Sequence, residues 1–162
     1  GASAAYPRWM VNVNITVENR GDFTENFTVT AYYNYTNFIA AQNVTDLLPG
    51  NTTALTIPWN TWNIVPNEYN YTSGQYTPYT ITVNISSPTL GETTWYDGTV
   101  TVRRFGDANG DGHCDGFDYT YINVHWLTVY PDIMYDPNPD FKGDGAIDGF
   151  DWTYISIYWC TF

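Results

Sequence analysis

Two stretches near one end of the chain carry oxygen donors at matching intervals. The first runs Asp107-Ala-Asn-Gly-Asp-Gly-His-Cys-Asp-Gly-Phe-Asp118, and the second, 33 residues later, runs Asp140-Phe-Lys-Gly-Asp-Gly-Ala-Ile-Asp-Gly-Phe-Asp151. Extended to Trp126 and Trp159, the two share 12 of 20 aligned residues, which marks an internal duplication. Carboxylates on alternate residues, followed by glycine, are what a loop needs to wrap a hard cation. Calcium takes about six to eight oxygens at about 2.3–2.6 Å, from side chains at loop positions 1, 3, 5 and 12 and from the carbonyl at position 7. A glycine at position 6 allows the sharp turn, since it accepts a positive φ. In the first loop this assigns Asp107, Asn109, Asp111, His113 (by its carbonyl) and Asp118. In the second it assigns Asp140, Asp144, Ala146 (by its carbonyl) and Asp151. Asp115 and Asp148 stand at position 9, where a ligand acts through water. Lys142 fills position 3 of the second loop in place of an oxygen, so two calcium sites are expected, the second the weaker.

The charge supports this reading. The chain has 162 residues and a formal charge of -12. After Arg104 it holds ten Asp, no Glu and one Lys. A cluster made only of Asp points to ligation rather than to a solvating tail. Five Lys and Arg in all leave no basic patch for phosphates, which argues against nucleic-acid binding. No apolar run is long enough to span a membrane. Neither a nucleophile elbow, a Cys-x-x-Cys pair nor a phosphate-binding glycine loop is found, and the remaining carboxylates are scattered. The chain is therefore expected not to be an enzyme.

Around the loops, the elements can be read from periodicity. Each loop should lead into a short helix, over about residues 117–127 and 150–160, with Tyr121, Ile122, Tyr154 and Ile155 facing a core. The first hundred residues alternate apolar and polar side chains instead. Strands are expected over 11–18, 26–35, 38–45, 53–59, 79–86 and 95–103, separated by Gly-, Pro- and Asn-rich turns. Short strands at that spacing indicate an immunoglobulin-like antiparallel β-sandwich. Seven N-x-[ST] sequons, at Asn14, Asn26, Asn34, Asn43, Asn51, Asn70 and Asn84, all precede the Asp-rich segment. Asn14, Asn26, Asn34 and Asn84 fall on the polar phase of their strands, where N-linked glycans leave the core undisturbed. This predicts an extracellular or cell-surface glycoprotein.

The strings VNVNITVENRGDFTENFTVTAYYN, DLLPGNTTALTIPWNT, YTITVNIS and DGTVTV resemble the CARDB-like, cell-adhesion-related Ig-type domains of archaeal and bacterial surface proteins, over about residues 11–103. That resemblance implies a spacer or adhesion module. The two loops resemble dockerins, whose loop–helix units close with Asp at position 12, over about residues 106–160. Where many dockerins carry partner-reading residues at positions 10 and 11, this chain has Gly116-Phe117 and Gly149-Phe150, so a cohesin-like partner stands as one alternative and packing of the two Phe against the Ig-like domain as the other. The implied organisation is an N-terminal extension (1–10), an Ig-like domain (11–104) and a dockerin-like calcium-binding domain (105–162).

Two further expectations follow, one from the first resemblance and one from the internal repeat. Members of the first family open with one more strand than residues 1–10 obviously provide, so the sandwich is expected to lack its first strand. Residues 4–10 then either donate a strand to a neighbouring copy, or fold back onto their own sheet or dangle. If the duplicated units pack about a pseudo-twofold axis, Ile147 meets Leu127 and Cys114 meets Cys160. The cysteines would then form an extracellular disulfide, the alternative being two buried thiols. Together these features point to a structural subunit of a calcium-rigidified, glycosylated surface assembly, a filament, pilus-like fibre or surface layer, polymerising with copies of itself. The alternative is an adaptor or adhesin that binds a cohesin-like protein or carbohydrate. Sequon density and both resemblances lean toward an archaeal surface.

Overall fold

A computed structural model describes residues 4–7, 9–89 and 91–159. The chain is mainly β, with antiparallel sheets and two short helices. Its strands are β1 (Ala4–Ala5), β2 (Met10–Glu18), β3 (Glu25–Tyr33), β4 (Asn37–Leu47), β5 (Thr52–Asn60), β6 (Tyr69–Asn70), β7 (Gln75–Tyr76), β8 (Tyr79–Ser87) and β9 (Gly91–Val102); the helices are α1 (Gly116–Val124) and α2 (Gly149–Tyr158). The six long strands match the alternating segments of the sequence to within a few residues, because period-2 burial was legible there. In β2, for example, Val11, Val13, Ile15 and Val17 are buried while Asn12, Asn14 and Thr16 are exposed.

The chain divides into two compact units. Unit 1 takes Val11–Asn60 and Tyr79–Val100. In it β4, β3, β8 and β9 are neighbours in that order, joined by antiparallel ladders, and β2 pairs with β5. Phe27, Val29, Ala31, Ile81 and Val83 from the larger sheet are buried, as are Ile57 and Trp59 from the smaller. Burying a side chain of that size is worth about 1.5–3 kcal/mol, which makes these residues the main stabilising term of the unit. A groove of about 180 Å³ opens among Val17, Phe27, Ile85, Thr93 and Trp95.

Unit 2 gathers three separated stretches, Ala2–Met10, Thr61–Pro78 and Thr101–Phe162. The linear boundary expected at residue 104 therefore does not follow the packing. Residues before β2 and between β5 and β8 join the Asp-rich region instead, because Tyr6, Trp9, Tyr69 and Tyr76 pack or bond there. β1 pairs in parallel with the last two residues of β9, Ala4 with Thr101 and Ala5 with Val102. Tyr6 is fully buried in the unit 2 core with Phe105, Ala108, Cys114, Ile122, Phe141, Ile147 and Ile155. In this single chain the N-terminal segment is engaged with residues of its own chain. The helices come from the repeat: Ile122 and Ile155 face the core, and Tyr121 and Tyr154 pack against it. Helix α1 ends at Val124, earlier than its apolar pattern suggested, and Leu127 takes a φ of 60°. The chain then runs beside the second loop, with Leu127 N–H donating to the Ile147 carbonyl (2.9 Å) and Ile147 N–H to that of Thr128 (3.0 Å). Among the described residues, no helix is long and apolar enough to cross a membrane.

Candidate cation-binding loops

The two Asp-rich loops close with the same six hydrogen bonds. In the first, Asp107 Oδ1 accepts from Gly110 N–H (2.7 Å) and Oδ2 from Gly112 N–H (3.0 Å). Asp111 Oδ1 accepts from His113 N–H (2.9 Å), and Asp118 spans the loop, Oδ1 accepting from Asn109 N–H (3.0 Å) and Oδ2 from Asp115 N–H (2.8 Å). Asp115 completes the set by accepting from Phe117 N–H (2.8 Å). The second loop repeats this through Asp140, Asp144, Asp151 and Asp148, at 2.7–3.1 Å. Carboxylates with two acceptor oxygens can gather a ring of backbone N–H groups in this way and still keep lone pairs for a further partner.

The position-9 residues have a role that spacing alone did not show. Asp115 and Asp148 are the N-caps of α1 and α2, and each forms a capping box with the closing Asp of its loop, Asp118 or Asp151. Capping satisfies N–H groups that a helix start leaves unbonded, typically for about 1 kcal/mol. One acidic side chain thus starts the helix while its neighbour closes the loop, so helix and loop form together.

Tyrosines from outside the repeat hold both loops. The β6–β7 hairpin places Tyr76 so that its hydroxyl donates to Asp107 Oδ2. Tyr71 donates to the Gly112 carbonyl at 3.3 Å, and its ring lies against that of His113. Gly112, at φ 84°, sits under the Tyr69 ring; a Cβ there would lie 2.4 Å from Tyr69 Cγ, so both backbone angle and space require glycine. From the N-terminal segment, the Tyr6 hydroxyl bonds the Asn138 carbonyl and that of Asp107 (3.0 Å). In the second loop Tyr135 donates to Asp140 Oδ2 (2.7 Å), and Trp9 Nε1–H donates to the Phe141 carbonyl (3.2 Å). None of these aromatic residues was singled out from sequence as a loop partner. The one available signal was an aromatic share of 19%, more than a small core needs.

Burial marks these carboxyls electrostatically, with Arg103 near the first loop and Lys142 in the second as the positive charges. Asp107, Asp118 and Asp151 are 0% exposed and Asp140 is 1%. Burial, with neighbouring carboxylates adding to it, pushes Asp118 and Asp151 up to about 6. Burial also raises Asp107, against hydrogen bonds from Tyr76, Gly112 and Gly110 that stabilise its anion. Tyr76 and Tyr135 are themselves raised by burial and by the carboxylates they serve, so both stay protonated donors. The loops differ at position 3. Asn109 Nδ2 donates to Asp111 Oδ2 (2.9 Å), whereas Lys142 Nζ forms a 2.6 Å ion pair with Asp144 Oδ2 and lies 4.6 Å from the centre of the Phe150 ring.

The donor set suits a hard cation, since it combines buried carboxylate and amide oxygens with loop carbonyls and offers no sulfur or imidazole. Among the described residues, however, no three or more His, Cys, Asp and Glu side chains converge as a ready-made metal cluster. Any ion held here would depend on Asn109 and on the carbonyls of His113 and Ala146 as well as on the carboxylates.

The other predicted sites are placed as follows. Asn14, Asn26, Asn34, Asn43, Asn51 and Asn70 are exposed, while Asn84, in β8 between two neighbouring strands, is half-buried. Cys114 is buried in the unit 2 core and Cys160 lies outside the described residues, so the expected disulfide does too. Phe117 and Phe150 are 73% and 63% exposed. They occupy equivalent places at the start of each helix and cover no core.

No protein-family model and no curated protein sequence matches the chain. Among solved structures it is similar to a calcium-binding mutant of beta-glucuronidase 2 from Bacteroides uniformis, at 15% identity and a TM-score of 0.34, covering 58% of this chain and 12% of that one. A likeness so slight and so partial carries no argument about this protein, whose reading rests on its own geometry.

Proposed function

We propose that this chain is a calcium-rigidified structural subunit of an extracellular, glycosylated surface assembly. In this reading unit 1 is an immunoglobulin-like sandwich that carries glycans on Asn14, Asn26, Asn34, Asn43, Asn51, Asn70 and Asn84. The paired loop–helix units are dockerin-like calcium modules, and no catalytic role is assigned. The observation that carries the proposal is the seat of the N-terminal segment. Tyr6 is a fully buried ring that touches Phe105, Phe141 and Trp9. Its hydroxyl and carbonyl are bonded to Asp107, Asn138 and Thr61.

A short segment held by contacts at long sequence separation is suited to exchange. The same seat on a neighbouring copy offers identical contacts, so swapping makes subunits into a polymer without a new interface. Calcium enters through the loops on which Tyr6 and Trp9 rest. An ion that neutralises buried carboxylates binds the folded unit and not the unfolded chain, and so stabilises the seat.

Electron microscopy of the purified native protein, with calcium and after chelation, tests this. Ordered fibres or sheets with calcium, lost on chelation, are expected. Deleting residues 1–10 should abolish the polymer while unit 1 stays folded; monomers under every condition would sink the proposal.

A second reading has its own observation. Phe117 and Phe150 are exposed at duplicated positions with Tyr119 and Trp152, at 42% and 43% exposure, beside them. Such a surface suits an adaptor for a cohesin-like protein or an adhesin for carbohydrate. It predicts a 1:1 heterocomplex that survives deletion of residues 1–10.

A further inference from the structure

We infer that the second loop carries its own cation, the Lys142 ammonium, and that the chain binds one divalent ion, at the Asp107 loop. This rests on the calcium reading above and narrows it.

The two loops reach the same closed form by the same six hydrogen bonds, so closure does not separate them. Position 3 does. Asn109 brings an amide oxygen and no charge, and its loop bears the four carboxylates of Asp107, Asp111, Asp115 and Asp118 with no Lys or Arg within it; Arg103, just before the loop, donates to the Ala108 carbonyl (3.1 Å) and occupies no ligand position. The second loop bears four as well, Asp140, Asp144, Asp148 and Asp151, but also an ammonium. Nζ of Lys142 sits 2.6 Å from Asp144 Oδ2, while Asp144 Oδ1 accepts the Ala146 N–H at 3.1 Å.

In both loops the two oxygens of the position-5 carboxylate are engaged, but Asp111 Oδ2 is held by the neutral Asn109 amide whereas Asp144 Oδ2 is held by a cation, and the position-3 oxygen is replaced by a positive charge. A calcium ion entering this loop would meet one fewer side-chain oxygen ligand, and a cation already paired to the position-5 carboxylate. Affinity in such loops is tuned over several orders of magnitude by ligand charge and number. The ring of Phe150, 4.6 Å from Nζ, gives the ammonium a second favourable partner and helps to hold it over the loop. The loop is thereby charge-compensated from within, which leaves it formed when calcium is absent.

Native mass spectrometry and calorimetry on the full chain, stripped with chelator and titrated with calcium chloride, test the inference. Wild type should take up one ion, and Lys142→Asn, which restores the residue of the first loop, should take up two. In the variant the added site should strengthen by at least about a hundredfold. Two ions of similar affinity in wild type, or one ion in Lys142→Asn with circular dichroism unchanged, would overturn the inference and leave the calcium reading standing. No ion in either protein would instead end the calcium reading itself, and this inference with it.

Discussion

The two Asp-rich loops share one closure and differ in the side chain that answers their acidity. Each builds the same ring of backbone N–H groups around a buried position-1 aspartate, caps a helix with its position-9 aspartate, and receives a tyrosine hydroxyl on the position-1 carboxylate. The first is surrounded by the β6–β7 hairpin and the Tyr6 hydroxyl, with an amide at position 3; the second answers its acidity with Lys142. Local closure is thus inherited by both copies, while charge balance is decided by one side chain and by what the rest of the chain delivers. Duplication preserves a backbone shape more strictly than it preserves a ligand set.

The largest effect that separates the loops should come from their closing aspartates. Asp118→Asn should remove most calcium-dependent stabilisation, whereas Asp151→Asn should leave the calcium response of the melting curve nearly intact. For an ion at a hundred times its Kd that stabilisation is about 2.7 kcal/mol, readable by scanning calorimetry with and without chelator. Equal responses from the two variants would break the distinction.

Next in size are the position-6 glycines, both at φ 84°. Gly112→Ala and Gly145→Ala share the strain of a left-handed residue, about 1–3 kcal/mol. Only the first also drives a methyl into the Tyr69 ring, since the nearest atom to a Cβ on Gly145 is Tyr130 Cβ at 3.7 Å. Gly112→Ala should therefore be the more destabilising in urea, and equal midpoints would show that the hairpin does not hold the first loop.

Dependence on pH sharpens the comparison further. Asp118 and Asp151 are both raised to about 6 by burial. A raised carboxyl favours the folded state while protonated, so its contribution is full below the unfolded value of about 3.9 and is lost as pH rises through about 6. The calcium-free protein should therefore lose stability from these groups between roughly pH 4 and 6. Calcium should reverse that trend, because it binds the anions. The reversal should vanish in Asp118→Asn and persist in Asp151→Asn when melting temperatures are followed across the range.

The smallest effects on calcium binding belong to the tyrosine hydroxyls. Tyr76→Phe and Tyr135→Phe each remove one hydrogen bond to a buried carboxylate, worth about 1.5–3 kcal/mol before water or local shifts compensate. Calcium titration should detect Tyr76→Phe and be indifferent to Tyr135→Phe.

Some of this was legible from residues alone, for reasons that can be named. Alternation located the six long strands, because a strand with one buried face must repeat every second residue. The duplicated D-x-x-G-D-G-x-x-D-G-F-D spacing located both loops and both helices, since such a loop is closed by contacts within 12 residues. Lys142 stood out because it broke that spacing. Local order of this kind is written where it acts.

What only the tertiary structure decided lies at long sequence separation. Nothing near Tyr6 announces that its ring fills a core 101 residues away beside Asp107, or that Tyr76 and Tyr135, unrelated in the repeat, deliver the same bond to equivalent aspartates. The stretch Thr61–Pro78 reads as a loop between strands, yet it packs with the Asp-rich region. A buried aromatic ring or a phenol hydroxyl is satisfied by any suitable cavity or acceptor that the folded chain brings near. Its partner is chosen by packing rather than by spacing, and spacing is all that a sequence displays.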